Sequence, residues 1–289
     1  MATIQDKIIL VTGATGKQGG ATARHLIKAG VKVRALTRKP ESKNSEALRT
    51  LGIEVYKGNL NDTASIDNAM KNVYGVFSLQ NGWEFGTDEQ KQNKNITDAA
   101  KENNISHLVF ASIASCDNNP NLKHFDIKQK SELYIKQSGI PFTFLRAVYF
   151  MDNLKPNAQA ASGSWEMLKQ NLGASTTLQV IACEDIGWFA ANSFLHPEIW
   201  IGKTLDIAGD NVTYNQAKSA YNKVFGKNPE HSKILSGIIK LIAPDARKMF
   251  EWYREPRFKA DIDYLRTIHP GLMRIEDYFQ KVRVTFIDS

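Results

Sequence analysis

The stretch KIILVTGATGKQGG, residues 7–20, constrains this chain more than any other. Ile8 to Val11 form an apolar run of the length expected for a strand buried on both faces. Gly13, Gly16 and Gly19 follow it. Beyond them Ala21, Ala23, Leu26, Ile27 and Ala29 can share one helical face, and Gly30 closes the helix. A strand, a glycine turn and a helix in that order make a phosphate cradle. The glycines let the backbone turn tightly and approach a pyrophosphate. The N–H groups and dipole at the helix N-terminus favour its negative charge. The spacing is G-x-x-G-x-x-G rather than the G-x-G-x-x-G of the familiar dinucleotide fingerprint.

The same rhythm continues for about 145 residues. Strands are expected at Val31–Leu36, Ile53–Tyr56, Tyr74–Leu79, His107–Ala111 and Pro141–Leu145. Helices are expected at Ser45–Leu51, Thr63–Met70, Thr87–Asn103 and Asp126–Ser138. Alternation of this kind predicts an α/β fold, a Rossmann-type doubly wound parallel sheet. Residues 1–153 are read as this dinucleotide-binding domain. After Arg146 the pattern changes, and 153–173 is rich in Asn, Gln, Ser and Gly. Residues 154–289 are read as a smaller α+β C-terminal lobe, interleaved with the first domain, for partner or substrate. Within it, strands are expected at Leu178–Ile181 and Thr204–Ala208, and helices at Glu184–Leu195 and Tyr214–Phe225. An amphipathic region, Ile234–Tyr253, is interrupted by Pro244. Its apolar residues, including Ile238, Leu241, Ile242, Phe250 and Tyr253, are expected in a core or a lid rather than in a membrane.

Composition removes several function classes. No apolar run approaches the ~18 residues that span a bilayer. MATIQDKIIL lacks the charged start, apolar core and cleavage site of a signal peptide, so a cytoplasmic protein is expected. Cys116 and Cys183 match no metal-binding or C-x-x-C spacing and read as reduced thiols, and no metal site is expected. The net charge of +7 favours anionic ligands. The basic residues are dispersed and carry no nucleic-acid motif, so nucleic-acid binding is disfavoured.

The end of the second strand selects the nucleotide. An acid there accepts hydrogen bonds from the ribose hydroxyls of NAD, whereas an Arg accommodates the 2′-phosphate of NADP. This chain has Arg38 and Lys39 about twenty residues beyond Gly19, which favours NADP(H) over NAD(H). Asn59, after the third strand, is placed to meet adenine or simply to make a turn.

GATGKQGG (13–20), LTRKP (36–40), FSLQNGWE (77–84), HFDIKQKSELYIKQSGIPFTFLR (124–146) and FMDNL (150–154) together resemble the NmrA-like family, an atypical branch of the short-chain dehydrogenases. The resemblance is dense in the first half of the chain and loose in the second. It implies a Rossmann domain with a small C-terminal lobe. Family members are redox-sensing regulators that bind NADP, or reductases of quinones and other aromatic substrates. The resemblance further implies that Thr15, Gly16, Lys17 and Gln18 hold the pyrophosphate and Arg38 the 2′-phosphate. Gln80, Asn81 and Gly82 would line the path to the nicotinamide ribose, with Lys91 and Lys128 near the ribose and nicotinamide. Phe150 and Asn153 would close over the nicotinamide end. Asn59 departs from the acid often found at its position.

Ordinary short-chain dehydrogenases use Tyr-x-x-x-Lys and an upstream Ser, the tyrosine exchanging a proton with substrate as hydride moves. Here Lys128 stands in the right region, but His124 replaces the tyrosine, and Ser112 follows the fifth strand. Histidine can act as an acid near neutral pH; His124 equally reads as a helix cap or surface residue. Tyr214 and Lys218 have the tyrosine–lysine spacing but come too late in the chain and read as coincidence. Two readings follow. One is an NADP(H)-binding, redox-responsive regulator with a protein partner. The other is an NADPH-dependent reductase of a small quinone or aromatic substrate. The oligomeric state is left open by the sequence.

Overall fold

The computed structural model describes residues 3–80, 88–118, 122–157, 160–242 and 244–287. The chain divides into two compact units. The first comprises residues 1–117, 124–146 and 186–205, and the second 118–123, 147–185 and 206–289. In chain order the elements are β1 (Ile8–Thr12), α1 (Lys17–Lys28), β2 (Lys32–Thr37), α2 (Lys43–Thr50), β3 (Glu54–Lys57), α3 (Thr63–Met70), β4 (Gly75–Ser78), α4 (Glu89–Glu102), β5 (His107–Ile113), α5 (Lys123–Ser138) and β6 (Phe142–Ala147). There follow β7 (Tyr149–Phe150), α6 (Ala161–Asn171), β8 (Thr177–Ile181), α7 (Cys183–Leu195), α8 (Pro197–Trp200), β9 (Thr204–Ile207), β10 (Asp210–Thr213), α9 (Tyr214–Phe225), α10 (Lys233–Ile242), α11 (Pro244–Trp252), α12 (Ile262–Ile268) and α13 (Ile275–Ile287).

Among the described residues the first unit is built on a seven-stranded sheet in the order β3-β2-β1-β4-β5-β6-β9. From β3 through β5 every neighbouring pair is parallel, with Leu10 opposite Arg34 on one side and Val76 on the other. The apolar runs read from the sequence are the inner strands, because both sheet faces are covered by helices. Leu10, Val76, Leu108, Phe110 and Phe144 of the strands pack with Ile66 and Met70 of α3, Ile96 and Ala100 of α4 and Ile135 of α5. The chain winds outward from β1 to β3, then returns past β1 to form β4. The order therefore reverses between β1 and β4, and ligands of such sheets sit outside the strand ends at that point. The doubly wound α/β class expected from the sequence is the class observed.

The second unit holds a small sheet, β10-β8-β7, with β10–β8 antiparallel and β7–β8 parallel. Its first helix, α6, lies in the segment whose polar composition did not suggest one, yet Trp165, Met167 and Leu168 are fully buried. The amphipathic region is two helices, α10 and α11, as Pro244 implies. Its apolar residues do not all go inside. Phe250 and Tyr253 are buried, whereas Leu241 and Ile242 are 80% and 74% exposed. The reason is that α10 packs one narrow face: Leu235 and Ile239 approach Gly163 of α6, and the opposite face has no cover among the described residues. No described helix is long and apolar enough to cross a membrane.

Candidate functional site

The glycine turn folds as its sequence requires. Gly13 has φ +66°, a conformation that side chains rarely adopt. The N–H of Gly16 donates to Gly13 O at 2.9 Å, and Gly16 caps α1 without a side-chain partner. A Cβ built on Gly19 would lie 2.4 Å from that same carbonyl oxygen, so only glycine lets α1 begin this close to β1. The result is an exposed helix N-terminus, free of a capping side chain, at the point where the strand order reverses. That is a cradle for phosphate. Thr15 and Gln18 are half-buried at its edge and Lys17 is exposed. Asn44 Nδ2 donates to Thr15 O and steadies the loop from α2.

Thr12 fastens the ends of β1 and β4. Its buried hydroxyl accepts from Leu79 N at 2.7 Å and donates to Leu79 O at 2.8 Å. Gln80 follows. Its amide nitrogen donates to Ser78 Oγ at 2.8 Å, while its Oε1, on a side chain only 4% exposed, has no partner among the described residues. A buried, unanswered acceptor at the switch point suits a ribose hydroxyl. The cradle and this orphaned oxygen fit a dinucleotide. Asn81 and Gly82 lie outside the described residues.

Arg38 and Lys39 are both exposed just past β2. The turn that carries them is held from α2, where Ser45 Oγ donates to Lys39 O at 2.8 Å. Asn59 is exposed, and its Oδ1 accepts from Asn61 N at 3.1 Å, as a turn asparagine does.

The sequence reading missed the residue that organises the next group, Glu89. His124 and Lys128 are one turn apart on α5 and both reach its carboxylate, at the first residue of α4. Lys128 Nζ lies 2.8 Å from Glu89 Oε1, donates to Ala111 O at 2.8 Å and sits over the Phe110 ring. His124 Nδ1 lies 3.6 Å from Glu89 Oε2. Burial disfavours an ionised Glu89, but the Lys128 ammonium and the contacts of His124 outweigh it and bring its pKa down to about 2. An acid in the first turn of a helix reads from sequence as a complement to the helix dipole, which conceals its pairing.

Ser112 belongs to a different group. Its hydroxyl donates to Glu132 Oε1 at 2.6 Å, and Arg146 grips Glu132 with Nε at 2.9 Å and Nη2 at 2.7 Å. Burial and the nearby Glu132 carboxylate push the Cys116 thiol up to about 12, so it stays protonated. Lys91, the other lysine that the resemblance places near the ribose and nicotinamide, is exposed on α4 two residues past Glu89. Phe150 and Asn153 belong to the second unit, where Phe150 pairs with Ile181. Tyr214 begins α9, and its hydroxyl meets His231 at 3.1 Å.

Comparison with known proteins agrees with this architecture. An oxidoreductase with an NmrA-like domain, notA from an Aspergillus species, is 34% identical over 248 residues, 76% of this chain and 73% of its own. The solved structure of NmrA, a negative transcriptional regulator in complex with NAD, aligns with a TM-score of 0.79 at 19% identity, covering 96% of this chain and 95% of that one. The NADPH-dependent quinone oxidoreductase QOR2 from Escherichia coli, complexed with NADPH, aligns with a TM-score of 0.77 at 21% identity, covering 96% and 99%. At these identities the two structures attest the fold. The model of the NmrA-like family matches residues 5–271, and the chain belongs to that family.

Proposed function

We propose that the protein binds NADP(H) in preference to NAD(H) and uses it, in the cytoplasm, to reduce a small quinone or aromatic substrate. The observation that carries the binding is the Gly13–Gly19 cradle at the switch point, where a single Cβ would close the approach. Thr15, Gly16, Lys17 and Gln18 would hold the pyrophosphate, Arg38 and Lys39 the 2′-phosphate, Asn59 the adenine edge, and Gln80 Oε1 a ribose hydroxyl. Arginine suits phosphate because its planar fork donates two hydrogen bonds at once.

When bound, the nicotinamide supplies the hydride. The chain must hold a proton nearby. His124 carries an imidazole whose ring nitrogens can hold and give up a proton, and it stands 3.6 Å from the Glu89 carboxylate. Lys128, pinned between Glu89 and Ala111 O, is the fixed positive charge of the group. This cluster favours a reductase over a regulator that only binds, since binding alone has no need of a proton donor. The 34% identity to a protein named as an oxidoreductase supports the same reading.

The test is NADPH oxidation against a panel of quinones and aromatic aldehydes, with His124→Asn beside the wild type. Turnover that falls roughly a hundredfold in the variant, with NADPH affinity kept, supports the reading. Tight NADPH binding with no oxidation of any substrate would favour the redox-responsive regulator.

A further inference from the structure

A cavity of about 380 Å³ lies in the first unit between α4 and α5. Its walls include Lys91, Asn93 and Lys94 of α4 and Lys130, Ser131 and Tyr134 of α5. The volume is within the range that holds small molecules. None of these residues comes from the glycine cradle or the β2 turn. Asp88 and Gln90, on either side of Glu89 in sequence, also line it, so the cavity runs alongside the Glu89 group rather than through the cradle.

Two of its lining residues carry a buried polar atom that has no partner among the described residues. Asn93 is 1% exposed and Ser131 2% exposed, and among the described residues Asn93 Oδ1 accepts no hydrogen bond and Ser131 Oγ makes none. A buried polar atom left without a partner loses the hydrogen bond it would have made in water. Polar side chains placed in a helix interface without partners are explained if a ligand answers them. The rest of the wall is prepared. Tyr134 donates its hydroxyl to Asp98 at 2.6 Å, and Lys94 pairs with Asp98 and lies over the Tyr134 ring, which fixes one side. Lys91 and Lys130 are exposed at the mouth and make no ion pair among the described residues. Among the described residues the one acid of the lining is Asp88, whose Oδ1 is engaged by Lys91 N at 2.9 Å as the cap of α4.

We propose that this cavity is a second ligand site, separate from the dinucleotide cradle, for a small hydroxylated anion. Lys91 and Lys130 meet its phosphate or carboxylate group. Asn93 Oδ1 accepts a hydrogen bond from a ligand hydroxyl, and Ser131 Oγ bonds to the polar body beside it. The inference does not depend on the reductase reading.

The test is calorimetric titration of the full chain with glycerol 3-phosphate, citrate and inorganic phosphate, with and without saturating NADPH. Saturable binding of either organic anion is expected, tighter than that of inorganic phosphate and undiminished by NADPH. Preference between the first two tells phosphate from carboxylate. Lys130→Glu is exposed and leaves the core intact, and it should weaken binding at least tenfold, as should Ser131→Ala. NADPH affinity should stay unchanged in both. Absence of saturation by all three probes at millimolar concentration would overturn the proposal. So would equal binding in both variants, or displacement of the anion by NADPH, which would place it in the cradle. A chain that sediments as a dimer, becomes monomeric in Lys130→Glu and binds no anion would assign the cavity to a contact between copies instead. Anion binding that survives in a chain unable to bind NADPH would sink the dinucleotide reading alone.

Discussion

The glycine cradle and the Glu89 group lie on the same unit and are built in opposite ways. The cradle is backbone: a turn, a carbonyl and a helix start, all within residues 12–20. The Glu89 group is side chains, with α4 and α5 bringing together residues 35 and 39 positions apart, Glu89 to His124 and Glu89 to Lys128. A site made of contiguous backbone tolerates change around it but none within it. A site made of buried charges depends on each partner for its stability. Mutations should therefore separate the two, with binding lost in one while the chain still folds, and stability lost in the other while the folded fraction still binds.

The largest effect is expected from Glu89→Gln. It leaves the Lys128 ammonium buried beside a neutral amide, and chemical denaturation should register a loss of about 3–5 kcal/mol. NADPH affinity of the folded fraction should change little. A loss under about 1 kcal/mol would mean that the pair is solvated and the contrast is wrong. Next comes Gly19→Ala. Its Cβ would meet Gly13 O at 2.4 Å, so the turn must shift. Stability should fall by about 1–3 kcal/mol and dinucleotide affinity by more than tenfold, read by thermal melting and by titration. Retained affinity would break the link between the close approach and the phosphate.

Arg38→Glu is a smaller change and a sharper one. It should weaken NADPH roughly tenfold or more and leave NADH almost unaffected, since only one of them carries the 2′-phosphate. Equal losses would remove Arg38 from that role. A last test varies pH rather than sequence. Burial pushes His107 down to about 4 from an ordinary 6.5, so unfolded chains take up its proton first and stability drops as pH falls from 6.5 through 4. Glu89 is also depressed, to about 2 from an ordinary 4.5. The stability of its pair is whole above 4.5 and is lost as pH falls towards 2. Urea titrations at stepped pH should resolve two stages, and Glu89→Gln should lack only the second.

The same division explains what the sequence disclosed. The cradle, the doubly wound parallel class implied by alternation, and the helices Thr63–Met70 and Tyr214–Phe225 could be read because their determinants are local, such as glycines, apolar periods and the Asp62 and Thr213 caps. Gln80 was legible only by resemblance, and Glu89 was not legible at all, because its partners are supplied by another helix. Helix α6 was hidden by its Asn, Gln, Ser and Gly. Its burial depends on Trp165, Met167 and Leu168 meeting the rest of the second unit, a tertiary effect that outweighs composition. The exposed face of α10 was hidden for the opposite reason: periodicity marks an apolar face but not whether anything covers it.

The most direct test is a calorimetric titration of the wild-type chain and of Gly19→Ala with NADPH and with NADH. Saturable NADPH binding by the wild type is expected, at least tenfold tighter than NADH and lost in the variant. No saturable binding of either nucleotide to the folded wild-type chain would contradict the cradle as a dinucleotide site, and with it the proposed function.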